Sequence, residues 1–172
     1  QATFNRFCSA DLPAVSAFFN SKTNLGSAEH IFLNGEESGT EGRAFAHIVS
    51  GSNAGNTYEL PYLGKFAWEN AVASPYMADK TVVAGMDDGT GGQVYFYIGT
   101  KTNTGLEIDK AGLTTGKLFV VSVSGMASEV SGSFPAPTSK FTWVDLGIVK
   151  DSTGVALNTK SIATGWTAVQ GP

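Results

Sequence analysis

A single cysteine, Cys8, stands among the 172 residues, so no internal disulfide can form. Charge is scarce as well, at 15% of residues, and lysines and arginines form no cluster. With a net charge of −4 and a pI near 5.1, the chain offers phosphate backbones no footprint, which excludes a nucleic-acid partner. No apolar run approaches the roughly 20 residues that cross a bilayer, so no transmembrane segment is expected. Motifs that announce a chemistry are missing too. There is no Gly-x-Ser-x-Gly nucleophile turn, no His-Glu-x-x-His and no Gly-x-x-x-x-Gly-Lys. Gly89-Thr90-Gly91-Gly92 has no helix after it and reads as a turn. The chain opens on Gln1-Ala2-Thr3-Phe4 without a basic n-region, so no signal peptide is read and a processed or cut chain is expected.

What is present is a 42% apolar share and 21 glycines, with Ser, Thr and Asn filling the surface in place of Lys and Glu. The length suits one compact domain with a hydrophobic core. Many glycines with small polar residues suit short strands joined by tight turns. Residues 11–19 read as a short N-terminal helix, with Asp11 as N-cap, Pro13 in its first turn and Leu12, Val15, Phe18 and Phe19 on one side. After that the period becomes two. Strands are expected over residues 29–34, 43–49, 57–62, 80–85, 93–99, 117–124 and 141–149, with a hairpin between residues 85 and 93. Residues 128–139 read as a Ser/Pro-rich loop, and the last twenty residues carry little core potential. A strand every ten to fifteen residues indicates an all-β barrel, sandwich or propeller.

Three acidic spots share one placement, at the end of an apolar strand and next to glycine. They are Glu36-Glu37, Glu69 and Asp87-Asp88. Acidic turn residues are commonly solvated surface. In a propeller, however, equivalent loops point to a common axis, where converging carboxylates need a cation and oxygen ligands favour calcium. Cys8 has the same two readings, an inert buried hydrophobe or a thiolate ligand. His47 alternates with apolar neighbours and reads as a hydrogen-bonded structural histidine, and His30 as a surface residue.

The blocks Phe32-Leu33-Asn34-Gly35-Glu36-Glu37, Gly42-Arg43-Ala44-Phe45 and Leu63-Gly64-Lys65-Phe66-Ala67-Trp68-Glu69-Asn70 resemble the PhoX-type alkaline phosphatase family. So do residues 79–90 and the run Gly92-Gln93-Val94-Tyr95-Phe96-Tyr97-Ile98-Gly99. The resemblance covers residues 4–124. It implies an exported, periplasmic or extracellular β-propeller phosphatase that acts on phosphate monoesters with calcium and iron held by axial carboxylates. Carried over, the metal ligands fall on Glu36, Glu37, Glu69 and Asp87 or Asp88, with Cys8 in the place of an iron-bridging cysteine. The family cysteine lies much closer to its acidic pair, and the family often has His where Trp68 stands. The later segments that complete the cluster and hold phosphate with arginine have no counterpart here.

The expected fold class is therefore all-β, a propeller-like fragment of a few antiparallel blades with one short N-terminal helix. Residues 1–124 form the family-like region and residues 125–172 a Ser/Pro/Thr/Gly-rich tail. The expected function is that of a partial chain of a metal-dependent phosphomonoesterase, inactive by itself. The alternatives are a non-catalytic extracellular propeller stabilised by calcium, or a structural or adhesive fragment. In each case the exposed strand edges call for the remainder of a polypeptide or for self-association.

Overall fold

The computed structural model describes residues 3–123 and 140–155. The strands in chain order are β1 (Phe7–Asp11), β2 (Phe19–Asn20), β3 (Leu25–Gly26), β4 (Ile31–Glu36), β5 (Ala44–Ile48) and β6 (Thr57–Glu59). They continue as β7 (Trp68–Ala73), β8 (Lys80–Asp87), β9 (Val94–Thr100), β10 (Lys117–Val123) and β11 (Phe141–Gly147). A single α-helical turn, α1 (Glu107–Lys110), lies between β9 and β10. All strand pairings are antiparallel. One sheet has the order β1-β4-β5-β6, a second β11-β10-β9-β8-β7, and β2 pairs only with β3. The fold is thus mostly β, and the described residues hold no closed ring of blades. No helix among them is long and apolar enough to cross a membrane.

Alternation decides which side chains meet. In β9, Tyr95, Tyr97 and Gly99 are buried while Val94, Phe96 and Ile98 face outward, and β8 follows the same rule with Thr81, Val83 and Gly85 inside. The inner face of the five-stranded sheet packs on the four-stranded sheet through Ile31, Leu33, Ala46 and Ile48 opposite Trp68, Val83, Tyr95 and Tyr97. Leu60, Leu63, Leu113 and Val149 close the ends of this core. Because β11 pairs with β10 and Val149 is fully buried, residues 141–149 belong to the same body as the strands before them.

Trp68 stands at the centre of the contact between the sheets, stacked on Phe66 at 3.9 Å, while Phe66 stacks on Tyr95 at 4.7 Å. Aromatic pairs of this kind contribute about 0.5–1.5 kcal/mol each beyond their burial. The indole fits only because both neighbouring strands lack a side chain beside it. A Cβ on Gly35 of β4 or on Gly85 of β8 would overlap the Trp68 ring.

The expected N-terminal helix is corrected. Asp11 ends β1, and its Oδ2 accepts a hydrogen bond from the Ala73 N–H at 3.0 Å instead of capping a helix. Only one 3-10 turn, Val15–Ala17, remains of that segment, without a side-chain cap. A helix this short is not stable by itself, so the tie to β7 prevails. Strands β1 and β7 had no clear sequence signal, since each is interrupted by a bulge that breaks the alternation. The expected loop at residues 128–139 and nearly all of the last twenty residues lie outside the described residues.

Candidate metal centre

The two bulges place the site. In β1, Phe7 pairs with Glu36 and Ala10 with Asn34, so Cys8 and Ser9 together oppose Gly35. In β7, Trp68 pairs with Asp87 and Asn70 with Met86, leaving Glu69 as the extra residue. A bulge adds a residue, bends the strand and re-aims a side chain. Here it lets Trp68 and Ala71 share the inner face while Glu69 turns towards β1. The third member, Glu37, follows the end of β4, where its N–H donates to the Arg6 carbonyl at 2.9 Å.

Cys8, Glu37 and Glu69 each bring one ligand atom into a group whose atoms all lie within 4.8 Å of one another, and all three are half-buried. The Cys8 thiol donates to Glu69 Oε2 at 3.2 Å. Hydrogen bonds to Glu37 and then Glu69, with some burial, push the thiol's pKa up. Two carboxylates beside a sulfur disfavour a further negative charge, so without a cation the cysteine keeps its proton. Cys8, Glu37 and Glu69 could together hold a metal ion, whose positive charge would offset the two carboxylates and favour the thiolate form of Cys8. Arg6 pairs with Glu37 from a largely exposed position and leaves the group open to solvent.

The neighbouring Glu36 does not join this group, which corrects the expectation that the acidic pair acts together. Successive strand residues point to opposite sides. Glu36 is fully buried, and Arg43 grips it twice, Nε to Oε2 at 2.9 Å and Nη2 to Oε1 at 2.7 Å. The backbone N–H groups of Asn5 and Arg43 add bonds at 2.7 and 3.2 Å. Burial alone would raise this carboxyl's pKa, but Arg43 and the two N–H groups outweigh it and hold it below the ordinary carboxylate range. Arg43 is itself fully engaged. It also reaches Glu59 and the Thr3 carbonyl and lies 5.0 Å from the Phe45 ring centroid.

Asp87 and Asp88 likewise lie outside the three-residue group. Asp87 Oδ1 accepts from the Gly89 N–H at 2.8 Å and closes the turn after β8. Its side chain lines a separate cavity of about 230 Å³ with Phe66, Ala67, Gly39 and Thr40. Asp88 is exposed, and its N–H donates to the Ala67 carbonyl. His47 is structural, with Nδ1 2.8 Å from Thr57 Oγ1 and Nε2 3.0 Å from Asn34 Oδ1. Burial holds its pKa below the usual imidazole value. His30 is exposed. Sequence reading did not single out Arg6 as the partner of Glu37, and no motif marks it.

The donor set favours some cations over others. One sulfur with two carboxylates suits iron or zinc, whereas calcium prefers six to eight oxygens and gains little from a thiolate. The residues therefore fit the iron of the expected pair better than the calcium.

No protein-family model matches the sequence, and no curated protein does. Among solved structures the chain is similar to Pseudomonas fluorescens PhoX, determined in complex with vanadate, a transition state analogue. The TM-score is 0.52 at 15% identity, and the match covers 88% of this chain and 36% of that one. The chain thus spans about a third of the PhoX chain it matches, and its fold is that of a part of PhoX.

Proposed function

We propose that this chain is part of an exported, metal-dependent phosphomonoesterase of propeller architecture, in which Cys8, Glu37 and Glu69 hold a metal ion. The observation that carries the reading is the convergence of these three side chains from three separate segments, two of them on bulges, in a fold similar to part of PhoX. The two sheets would then be blades, and the remaining blades would come from the rest of a polypeptide or from self-association. A cation at this point supplies Lewis acidity towards a phosphoryl oxygen. The chain's own residues do the rest. Glu37 and Glu69 supply negative charge and orientation, Cys8 gives up its proton on loading, and Arg6 balances Glu37 from the solvent side. Both arginines of the chain are already paired, Arg43 with buried Glu36 and Arg6 with Glu37. The segments that complete the cluster in the resembled family have no counterpart here, so the isolated chain is expected not to turn over.

Elemental analysis of the gel-filtered protein after exposure to ferrous, zinc or calcium salts tests this. Near-stoichiometric iron or zinc that is lost in Cys8→Ser and Glu69→Gln is expected. Equal metal content in wild type and both variants would sink the assignment. For catalysis, a polypeptide carrying the complete propeller should hydrolyse p-nitrophenyl phosphate, and Glu69→Gln should abolish this.

One observation favours a second reading, a non-catalytic module that uses its cation for stability. Trp68, where the resembled family often has His, is locked into packing between the sheets and has no ligand role. In that case the cation raises Tm by binding only the folded state, and no hydrolysis accompanies it in any length of chain.

A further inference from the structure

We infer that the polar cleft between the β2–β3 hairpin and α1 binds one ring of a neutral, hydroxyl-rich ligand, a saccharide unit. The inference goes beyond the metal centre and stands without it. Glu29 precedes β4 and Glu37 follows it, and a strand of six residues spans roughly 20 Å. The two sites thus lie at opposite ends of that strand. Three segments enclose the cleft, and their backbones are tied together. The Gly26 N–H donates to the Thr102 carbonyl at 2.8 Å, the Ser27 N–H to the Phe18 carbonyl at 3.0 Å, and the Thr102 N–H to the Lys110 carbonyl at 3.0 Å. Gly26 has a φ of +112°, and a Cβ there would overlap the Phe18 carbonyl, so glycine lets the hairpin close this tightly. Next to it, Asn24 is the one non-glycine residue with positive φ among the described residues, at 57°, a conformation that Asn tolerates better than most. The space so formed measures about 390 Å³, within the range of small-molecule sites, about 300–1,000 Å³.

The groups around the cleft select the ligand. One side is fixed by the fold. Glu107 is buried, its Oε1 accepts from Lys110 Nζ at 2.7 Å, and its Oε2 accepts from the buried Ser27 hydroxyl. Burial alone would raise its pKa, but the bonds from Lys110 and Ser27 outweigh it and keep this carboxylate ionised. The rim is different. The exposed amides of Asn24 and Asn103 border the cleft, and neither has a side-chain hydrogen bond among the described residues. Glu29 uses Oε2 to accept from Ser50 Oγ at 2.6 Å, while its Oε1 has no hydrogen-bond partner among the described residues. Half-buried Phe19 adds an aromatic wall. Two carboxylates repel a phosphate or another anion, and the Lys110 ammonium opposes a bare cation. An apolar ligand would desolvate the amides and the carboxylate without replacing their water. A sugar hydroxyl both donates and accepts, so neighbouring hydroxyls can donate to Glu29 and exchange bonds with both amides. The C–H face of the ring then rests on Phe19. This chemistry is the same for a free monosaccharide and for the end of a longer glycan.

Backbone amide shifts of the isotope-labelled 172-residue chain, followed by NMR during titration with glucose, galactose, mannose and N-acetylglucosamine, read the outcome. Saturable shifts confined to residues 19–29 and 103–110 are expected with at least one of these sugars. Asn103→Ala and Glu29→Gln change the rim and leave the core alone, so the spectra should stay dispersed as in wild type. The apparent Kd should rise by about tenfold in each. A trisaccharide of the responding sugar separates the two sources. Tighter binding than the single sugar assigns the cleft to a glycan end and equal binding to the free sugar, and either result supports the proposal. No saturable shift with any of the sugars overturns it, as does saturation that both folded variants leave unchanged. Calcium or inorganic phosphate shifting the same residues where no sugar does overturns it too, and makes the cleft an ion site.

Discussion

Glu36 and Glu37 are adjacent in sequence, yet they occupy two regions with opposite electrostatic solutions. On one side of β4, Glu36 is sealed from solvent and neutralised by Arg43, a cation the fold itself supplies. On the other, Glu37 shares an open group with Glu69 and the Cys8 thiol, and its ion-pair partner Arg6 is mostly in water. A carboxylate pair in a sequence therefore need not be a ligand pair. Where the protein provides the counter-charge, the acid is structural; where it leaves two acids and a thiol facing each other, an external cation has a place.

The comparison can be broken most directly at the two arginines. Arg43→Met leaves a buried carboxylate without its partner and should cost about 3–5 kcal/mol, read from urea unfolding. Arg6→Met removes an exposed pair and should cost at most about 1 kcal/mol. Comparable small losses in both would mean that Glu36 is not held as described. The Arg43 contribution has a pH signature. The Glu36 carboxyl titrates below the ordinary value in the folded state, so the stabilisation is full above about pH 4.3 and is lost as pH falls through the folded-state pKa. A wild-type acid limb no steeper than that of Arg43→Met would argue against this.

A smaller loss is expected at the seat of Trp68. Gly35→Ala puts a methyl against the indole between the two regions, and overpacking of this kind costs about 1–3 kcal/mol. An unchanged Tm would show that Trp68 can move aside. Smallest in energy, but sharpest for the site, is the reactivity of Cys8. The carboxylates raise its pKa, so iodoacetamide labelling should rise with pH along a curve displaced above the midpoint of a free thiol, about 8.5. Glu69→Gln should shift that curve back down, and bound metal should protect the thiol. Labelling with an ordinary midpoint in wild type would separate Cys8 from the two acids.

The regular parts of the fold were legible because their alternation is uninterrupted. The expected strand cores at residues 80–85, 93–99 and 117–124 correspond to β8, β9 and β10. His47 read correctly as structural, since an imidazole among apolar neighbours has to find partners within the fold. The irregular parts were not legible. Strands β1 and β7 carry bulges, and a single extra residue reverses the phase on which pattern reading depends. The expected helix at residues 11–19 failed because Asp11, a sound N-cap by type, had a better partner in Ala73, 62 positions away in the chain.

By itself the sequence determined the class, antiparallel β with glycine-rich turns, because period-two patterning and turn chemistry are local. It also named the chemically able residues, including Cys8, Glu37 and Glu69. Only the tertiary structure decided which of them act together. Cys8 lies 61 positions from Glu69, and the two meet because separate bulges turn β1 and β7 towards each other. Glu36 is withdrawn from the group by Arg43, which is brought against it by the pairing of β4 with β5. Side-chain direction and charge pairing across strands depend on register, and register is a property of the assembled sheets rather than of any one segment.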